Sequence, residues 1–215
     1  MSIEGVFPKR GSLIVFEGCD RAGKTTQLKR IVEMLNKDCK ETIMICFPNR
    51  KSHIGKLIDC YLKSKMDFDD HVIHLLFAAN RWEMEKTIRT TLEKGVNILV
   101  DRYSYSGVAF SAAKKNMSLF WCKQSEVGLP RPDLVVFLEV SAEAAGLRSG
   151  FGNERYEDNA FQDLVRRNYK YLEDSCWIKV STEVNQEALK NNLDKLILNE
   201  LEKNKEPLET LWTEL

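Results

Sequence analysis

Five short apolar runs stand out along the chain, at 12–17 (SLIVFE), 42–47 (TIMICF), 96–100 (VNILV), 134–140 (LVVFLEV) and 176–181 (CWIKVS). Their length and their β-branched and aromatic content predict buried strands. Most of the intervals carry helical periodicity instead. In TTQLKRIVEML, Leu28, Ile31, Val32 and Leu35 recur at helical spacing, and the longest segment runs from Asp69 to Lys94 and closes at Gly95. There Val72, Leu75, Leu76 and Ala79 form an i, i+3, i+4, i+7 stripe, predicted to be the helix's packed face. Strands alternating with helices imply an α/β domain with a parallel sheet covered on both faces, and ligands at the carboxyl ends of the strands. The residues just after each strand are therefore where chemistry is expected. Beyond Lys203, Pro207 and LETLW form a tail that either docks by its Leu and Trp or frays.

Immediately after the first strand comes GCDRAGKTT, residues 18 to 26. The spacing fits G-x-x-x-x-G-K-[ST], in which backbone N–H groups close around phosphate oxygens and the lysine reaches the β and γ groups. A two-glycine turn with a solvated lysine is the plain alternative. The position favours the phosphate loop, because a buried strand precedes it and a helix N-terminus succeeds it, adding its partial positive charge to Lys24. A nucleoside triphosphate is the implied guest.

With 215 residues, the chain suits one domain over 1–215. Lys plus Arg and Asp plus Glu each number 32, and no long basic block is present, which argues against a nucleic-acid partner. Six cysteines include no C-x-x-C pair, and those within TIMICF and CWIKV read as small hydrophobes, as in a reducing compartment. No run has the length of a membrane span and no secretory signal core is visible, so no membrane partner and a cytoplasmic location are expected, with a nuclear or mitochondrial pool left open.

Strand two ends in FPNR (47–50), strand three in DRYSYSGVAF (101–110) and strand five in STEVNQ (181–186). Asp101, at the tip of an apolar strand, suits a carboxylate held near Mg²⁺ on phosphates, directly or through water, although a helix cap would use the same residue. Arg50 and Arg102 both fall at the predicted ligand edge, where a guanidinium fork matches a phosphate. His53, His71 and His74 lie on predicted helices and read as structural.

GCDRAGKTTQ, FPNR, HVIHLLFAANRWE, DRYSYSGVAF, GLPRPDLVVFL and RSGFGNERYEDNAFQ, in this order, resemble the thymidylate kinases, most closely the eukaryotic ones. The likeness runs from about residue 10 to about 185. It implies a three-layer α/β/α P-loop NTPase fold of the nucleoside monophosphate kinase kind, with a five-stranded parallel sheet. It also implies transfer of the γ-phosphoryl group of ATP to dTMP with Mg²⁺, in dTTP synthesis, by a homodimer.

Residue by residue, the resemblance implies that Gly18, Ala22, Gly23, Lys24, Thr25 and Thr26 form the ATP site, with Thr25 and Asp101 at the metal. Arg21 would act in cis on the transferred group, and Arg148 would lie on adenine. Asp20 would face the 3′-hydroxyl, Arg50 and Arg102 would hold the dTMP phosphate, and Phe77 would stack on thymine while Arg81 reads its carbonyl edge. Phe47, Ser106, Gly107, Phe110, Tyr156 and Gln162 would complete the substrate pocket, with a lid over about 146–158. FPNRKS departs from the family's more usual residues after FP, and the spacing into the lid near Gly146 is one residue longer.

Such an acceptor is already anionic, so no general base is needed and cations matter most. The rivals are a kinase for another nucleoside monophosphate, a nucleoside kinase and a non-catalytic nucleotide-binding protein. The absence of an acid in FPNRKSH argues against the nucleoside kinase, which needs a carboxylate base there.

Overall fold

A computed structural model describes residues 10–141 and 154–213. Among them, strands β1 (Leu13–Glu17), β2 (Thr42–Cys46), β3 (Asn97–Asp101), β4 (Leu134–Glu139) and β5 (Trp177–Ser181) alternate with helices. These are α1 (Lys24–Lys37), α2 (His53–Leu62), α3 (Asp70–Glu93), α4 (Ser104–Ala112), α5 (Leu119–Gln124), α6 (Asn159–Lys170) and α7 (Gln186–Glu202). The sheet order is β2-β3-β1-β4-β5 and every pairing is parallel. All five strands fall where the apolar runs place them.

Burial explains why the central runs are continuous and the edge runs are not. Every residue of β1 is buried, because helices cover both faces, whereas at the sheet edges β2 exposes Ile43 and Cys46 and β5 exposes Ile178, Lys179 and Ser181. One layer of core, containing Leu13, Val15, Ile98, Val100 and Tyr105, lies on one face of the sheet. A second, containing Ile14, Phe16, Leu28, Ile31 and Leu35, lies on the other under α1 and α7. The α1 stripe is thus buried, apart from the partly buried Val32.

Two expectations need correction. In α3, Val72 and Leu75 are 45% and 48% exposed, and the packed face is carried instead by Ile73, Ala78, Ile88 and Leu92, with His74, Asn80 and Arg81 buried among them. The periodicity was apolar on two faces of α3, and only one has a covering layer within the chain. Cys46 is exposed rather than packed, because β2 is an edge strand whose last residue opens onto a cavity.

The tail docks. Leu211 is buried, its N–H donates to Leu129 O (2.8 Å) and its carbonyl accepts from Gly128 N (3.0 Å), while Trp212 meets Tyr105 edge-on. His74 is the structural histidine expected, fully buried with its ring nitrogens within 3.0 Å of Ser111 Oγ, Cys122 O and Ser125 Oγ. Burial pushes its pKa down to about 4, so it sits neutral.

Candidate active site

The carboxyl ends of β1, β2 and β3 open into one cavity of about 430 Å³. The loop after β1 turns sharply into α1. Gly18 (φ 134°) lies so close to β4 that a Cβ there would stand 2.5 Å from Leu138 O, and Gly23 (φ 89°) is the left-handed residue that starts the helix. Lys24 arches back over this loop, its Nζ donating to Gly18 O (3.0 Å) and Cys19 O (2.8 Å). It is 5% exposed, and burial, with Arg102 nearby, lowers its pKa to about 8. A phosphate placed against this ammonium would reverse that shift.

Thr25 donates its hydroxyl to Asp101 Oδ2, joining the end of β3 to the start of α1. Among the described residues there is no group of three or more His, Cys, Asp or Glu side chains able to hold a metal. One hydroxyl and one carboxylate suit Mg²⁺, a hard ion that keeps waters and takes further oxygens from phosphates.

Across the cavity stand the arginines. Arg102, at the β3–α4 junction with φ 64°, donates to Gly18 O (3.1 Å) and Ser106 Oγ (3.1 Å) and pairs with Asp20. Burial acts to lower its pKa, but Asp20 leads the carboxylates and other groups that raise it beyond the ordinary arginine value. Arg21 is the other non-glycine residue at positive φ (63°) on this wall and pairs with Glu157 (2.8 Å). Left-handed backbone at two arginines facing one cavity is strain of the kind that clusters at ligand sites. Arg50 spans to Asp59 (2.6 Å) and Glu154 (2.9 Å), and its turn is held by the buried Asn80, whose Oδ1 accepts from Asn49 N (2.7 Å).

The far end is built from α3 and α4. Phe77 and Arg81 lie one turn apart on α3, Gly107 and Phe110 one turn apart on α4, and Tyr156 stacks on Phe161 while lining the same space. Phe47 is buried against Tyr103 and closes the floor. The structure therefore brings together Asp20, Arg21, Gly23, Lys24, Thr25 and Thr26 from the loop with Phe47, Arg50, Phe77, Arg81, Asp101, Arg102, Ser106, Gly107, Phe110 and Tyr156.

Other expected residues are placed elsewhere. Gly18 and Ala22 shape the loop from behind, and Gln162 stands behind Asp20, donating to its Oδ2 (2.7 Å) and to Tyr156 O (2.9 Å). Arg148 and most of the segment expected to form a lid lie outside the described residues. Arg155 faces away from the cavity, over the Tyr61 ring at 4.2 Å, and the STEVNQ turn does not line it.

Sequence reasoning missed Glu17, Glu126, Glu154 and Glu157, the acids that hold the machinery. Glu17 carried a signal, as the one charged residue of the run SLIVFE; Glu126 carried none. Cys46 also lines the cavity, where partial desolvation by the surrounding wall, and then Asp101, raise its thiol pKa to about 11 although its surface is open, which leaves it a poor nucleophile at neutral pH.

Residues 16–193 match the family model described as thymidylate kinase. The chain is 51% identical over 164 residues to the Homo sapiens protein of that name, covering 76% of this chain and 77% of that one. It is 43% identical over 213 residues to the Caenorhabditis elegans thymidylate kinase, covering 94% and 96%. The solved structure of the Candida albicans thymidylate kinase superposes with a TM-score of 0.85 at 32% identity, over 94% of this chain and 98% of that one.

Proposed function

The chain belongs to the thymidylate kinase family, and from that premise we propose that it transfers the γ-phosphoryl group of ATP to dTMP, giving dTDP and ADP, as one domain over 1–215. One observation carries the reading: a single cavity joins a phosphate loop to two strand-end arginines and, beyond them, to a ring and a guanidinium one helical turn apart.

Lys24 and the loop hold the triphosphate, while Arg50 and Arg102 take the acceptor phosphate and so bring two anions into line. Arg21 stands between them to stabilise charge on the transferred group. Asp20, already bonded to Arg102 and Gln162, faces the sugar end, where Ser106 also opens. Phe77 offers its face to the base and Arg81 its donors. Thr25 and Asp101 would hold Mg²⁺, which neutralises phosphate charge when bound. Among the described residues no histidine lines the cavity, and each carboxylate on it is engaged by an arginine or by Thr25, consistent with an acceptor that needs no base.

The protein acts as a homodimer through the uncovered face of α3, with no nucleic-acid or membrane partner and in the cytoplasm. Support comes from the exposed Val72 and Leu75, from the balanced charge and from six free cysteines. No described helix is long and apolar enough to cross a membrane.

A coupled assay of ADP release tests the function. Release is expected to rise strongly with dTMP, weakly with dUMP and little with dCMP, AMP or thymidine. Stimulation by thymidine without dTMP would make it a nucleoside kinase, and no stimulation by any acceptor would make it a non-catalytic binder.

A further inference from the structure

Arg81 differs from every other arginine on the cavity wall. It is 2% exposed, and its partner Glu126 is completely buried. Arg81 Nε donates to Glu126 Oε2 (2.7 Å), and Nη2 donates to Oε1, so the Nε–Nη2 edge of the guanidinium is consumed by one carboxylate. Of its five N–H groups, Nη1 and the second hydrogen of Nη2 remain. This remaining edge lies against Gly107, where a Cβ would stand 2.2 Å from Nη2 and 3.1 Å from Nη1. Gly107 and Phe77 both line the cavity, so the unspent donors sit at its aromatic end.

Glu126 does not touch the cavity, and its position is over-determined. The segment after α5 is stapled along α3: Ser125 O accepts from Trp82 Nε1 (2.8 Å), Ser125 Oγ meets His74 Nε2 (2.9 Å) and Gly128 O accepts from Arg89 Nη2 (3.3 Å). His74, Arg81, Trp82 and Arg89 all belong to the same helix. The carboxylate is therefore a fixed point against which the guanidinium is oriented.

We propose that Glu126 is the positioning residue for base selection, holding Arg81 as a charge-compensated, donor-only reader of a carbonyl oxygen on the acceptor's base. Two consequences separate it from the phosphate-binding arginines. Its charge is neutralised inside the wall, so it does not compete with Arg50 and Arg102 for the acceptor phosphate or draw a triphosphate into the wrong end. Its free edge can only donate. A pyrimidine carbonyl satisfies it, whereas an exocyclic amino group in the same place sets N–H against N–H and leaves buried donors on both sides unpaired. The assignment rests on reading the cavity as the dTMP site and adds a residue that never contacts the substrate.

Steady-state kinetics with dTMP and dCMP as acceptors test it on the unsubstituted protein, Glu126→Gln and Glu126→Asp. In Glu126→Gln one acceptor oxygen becomes an amide donor facing the guanidinium. The KM for dTMP is expected to rise about 10-fold or more and the preference for dTMP over dCMP to fall by a similar factor, with kcat within about 3-fold and the KM for ATP unchanged. Glu126→Asp keeps the charge at shorter reach and is expected to show the same pattern at smaller amplitude; it decides alone if the glutamine variant does not fold. Loss of activity shared equally by both acceptors and by ATP, or unchanged selectivity in both variants, would reduce Glu126 to a scaffold residue and overturn the proposal. An unsubstituted protein that does not turn over dTMP would overturn the functional reading, and the proposal with it.

Discussion

Lys24 shows how a single side chain is prepared for a ligand at a cost to the fold. Its ammonium is buried, with two carbonyl oxygens as partners, and its pKa is lowered to about 8 by burial and then by Arg102. Between about pH 8 and its ordinary value near 10.5 the folded chain binds fewer protons at this site than the unfolded chain. Stability from this group therefore rises across that window and is lowest below it, where the charge must be kept buried. Bound triphosphate restores a high pKa, so ATP binding near pH 8.5 is expected to take up a proton. Calorimetry in buffers of different ionisation enthalpy reads this directly, and a buffer-independent heat would contradict it. Lys24→Ala is expected to lose roughly 10²–10³-fold or more in turnover while remaining folded, and to flatten the stability profile between pH 8 and 10.5. Unchanged turnover in that variant would remove the phosphate-loop assignment.

At the level of elements, α4 is capped by a residue that is not its neighbour. Tyr103 precedes it without a side-chain cap, and the first-turn donors are instead taken by Glu17 at the end of β1. Its Oε1 accepts from Tyr103 N (2.9 Å) and Ser106 N (3.0 Å), and its Oε2 accepts from Ser106 Oγ and Tyr169 Oη. A buried carboxylate at a helix N-terminus satisfies the orphan donors and the dipole together. Because Arg102 precedes α4 and Ser106 and Gly107 lie within it, this bond also locks the acceptor side to the strand that carries the phosphate loop. Glu17→Ala is expected to cost roughly 3 kcal/mol or more in stability, from the donors left unpaired, and to raise the KM for dTMP more than that for ATP. Denaturant unfolding and two-substrate kinetics check both halves, and equal effects on the two KM values would deny the link to α4. The pattern of residues made the strands and helices legible because burial on two faces needs unbroken apolar runs and burial on one needs periodicity. Glu126 meets Arg81 across 45 positions and Glu17 meets Tyr169 across 152, and no local pattern records a pairing made only by tertiary packing. The loop, Asp101, Arg50 and Arg102 were legible from their places after strands and the rest of the cavity through a family resemblance, whereas the acids behind them were not.

For the whole molecule, the misread face of α3 is the informative error. An apolar stripe with the right period was present, but the chain covers the face beside it and leaves Val72 and Leu75 about half exposed, with Leu57 of the adjoining α2 40% exposed. Half-exposed apolar side chains on one helix face are what a second copy of this chain would cover, and a stable interface covers roughly 800 Å² on each partner. With equal numbers of acidic and basic side chains, two copies approach without net repulsion. Since Phe77 and Arg81 project from the same helix toward the cavity, a second copy on its outer face would also stiffen the base-reading end of the site. Val72→Glu with Leu75→Glu is therefore expected to convert a dimer to a monomer in sedimentation at micromolar concentration, to abolish the concentration dependence of Tm, and to raise the KM for dTMP several-fold while the far-ultraviolet spectrum stays that of the folded chain. Both positions face solvent in the single chain, so the substitutions bury no charge and a monomer should still fold. An unsubstituted protein that sediments as a monomer under the same conditions would leave this face without the occupant assigned to it.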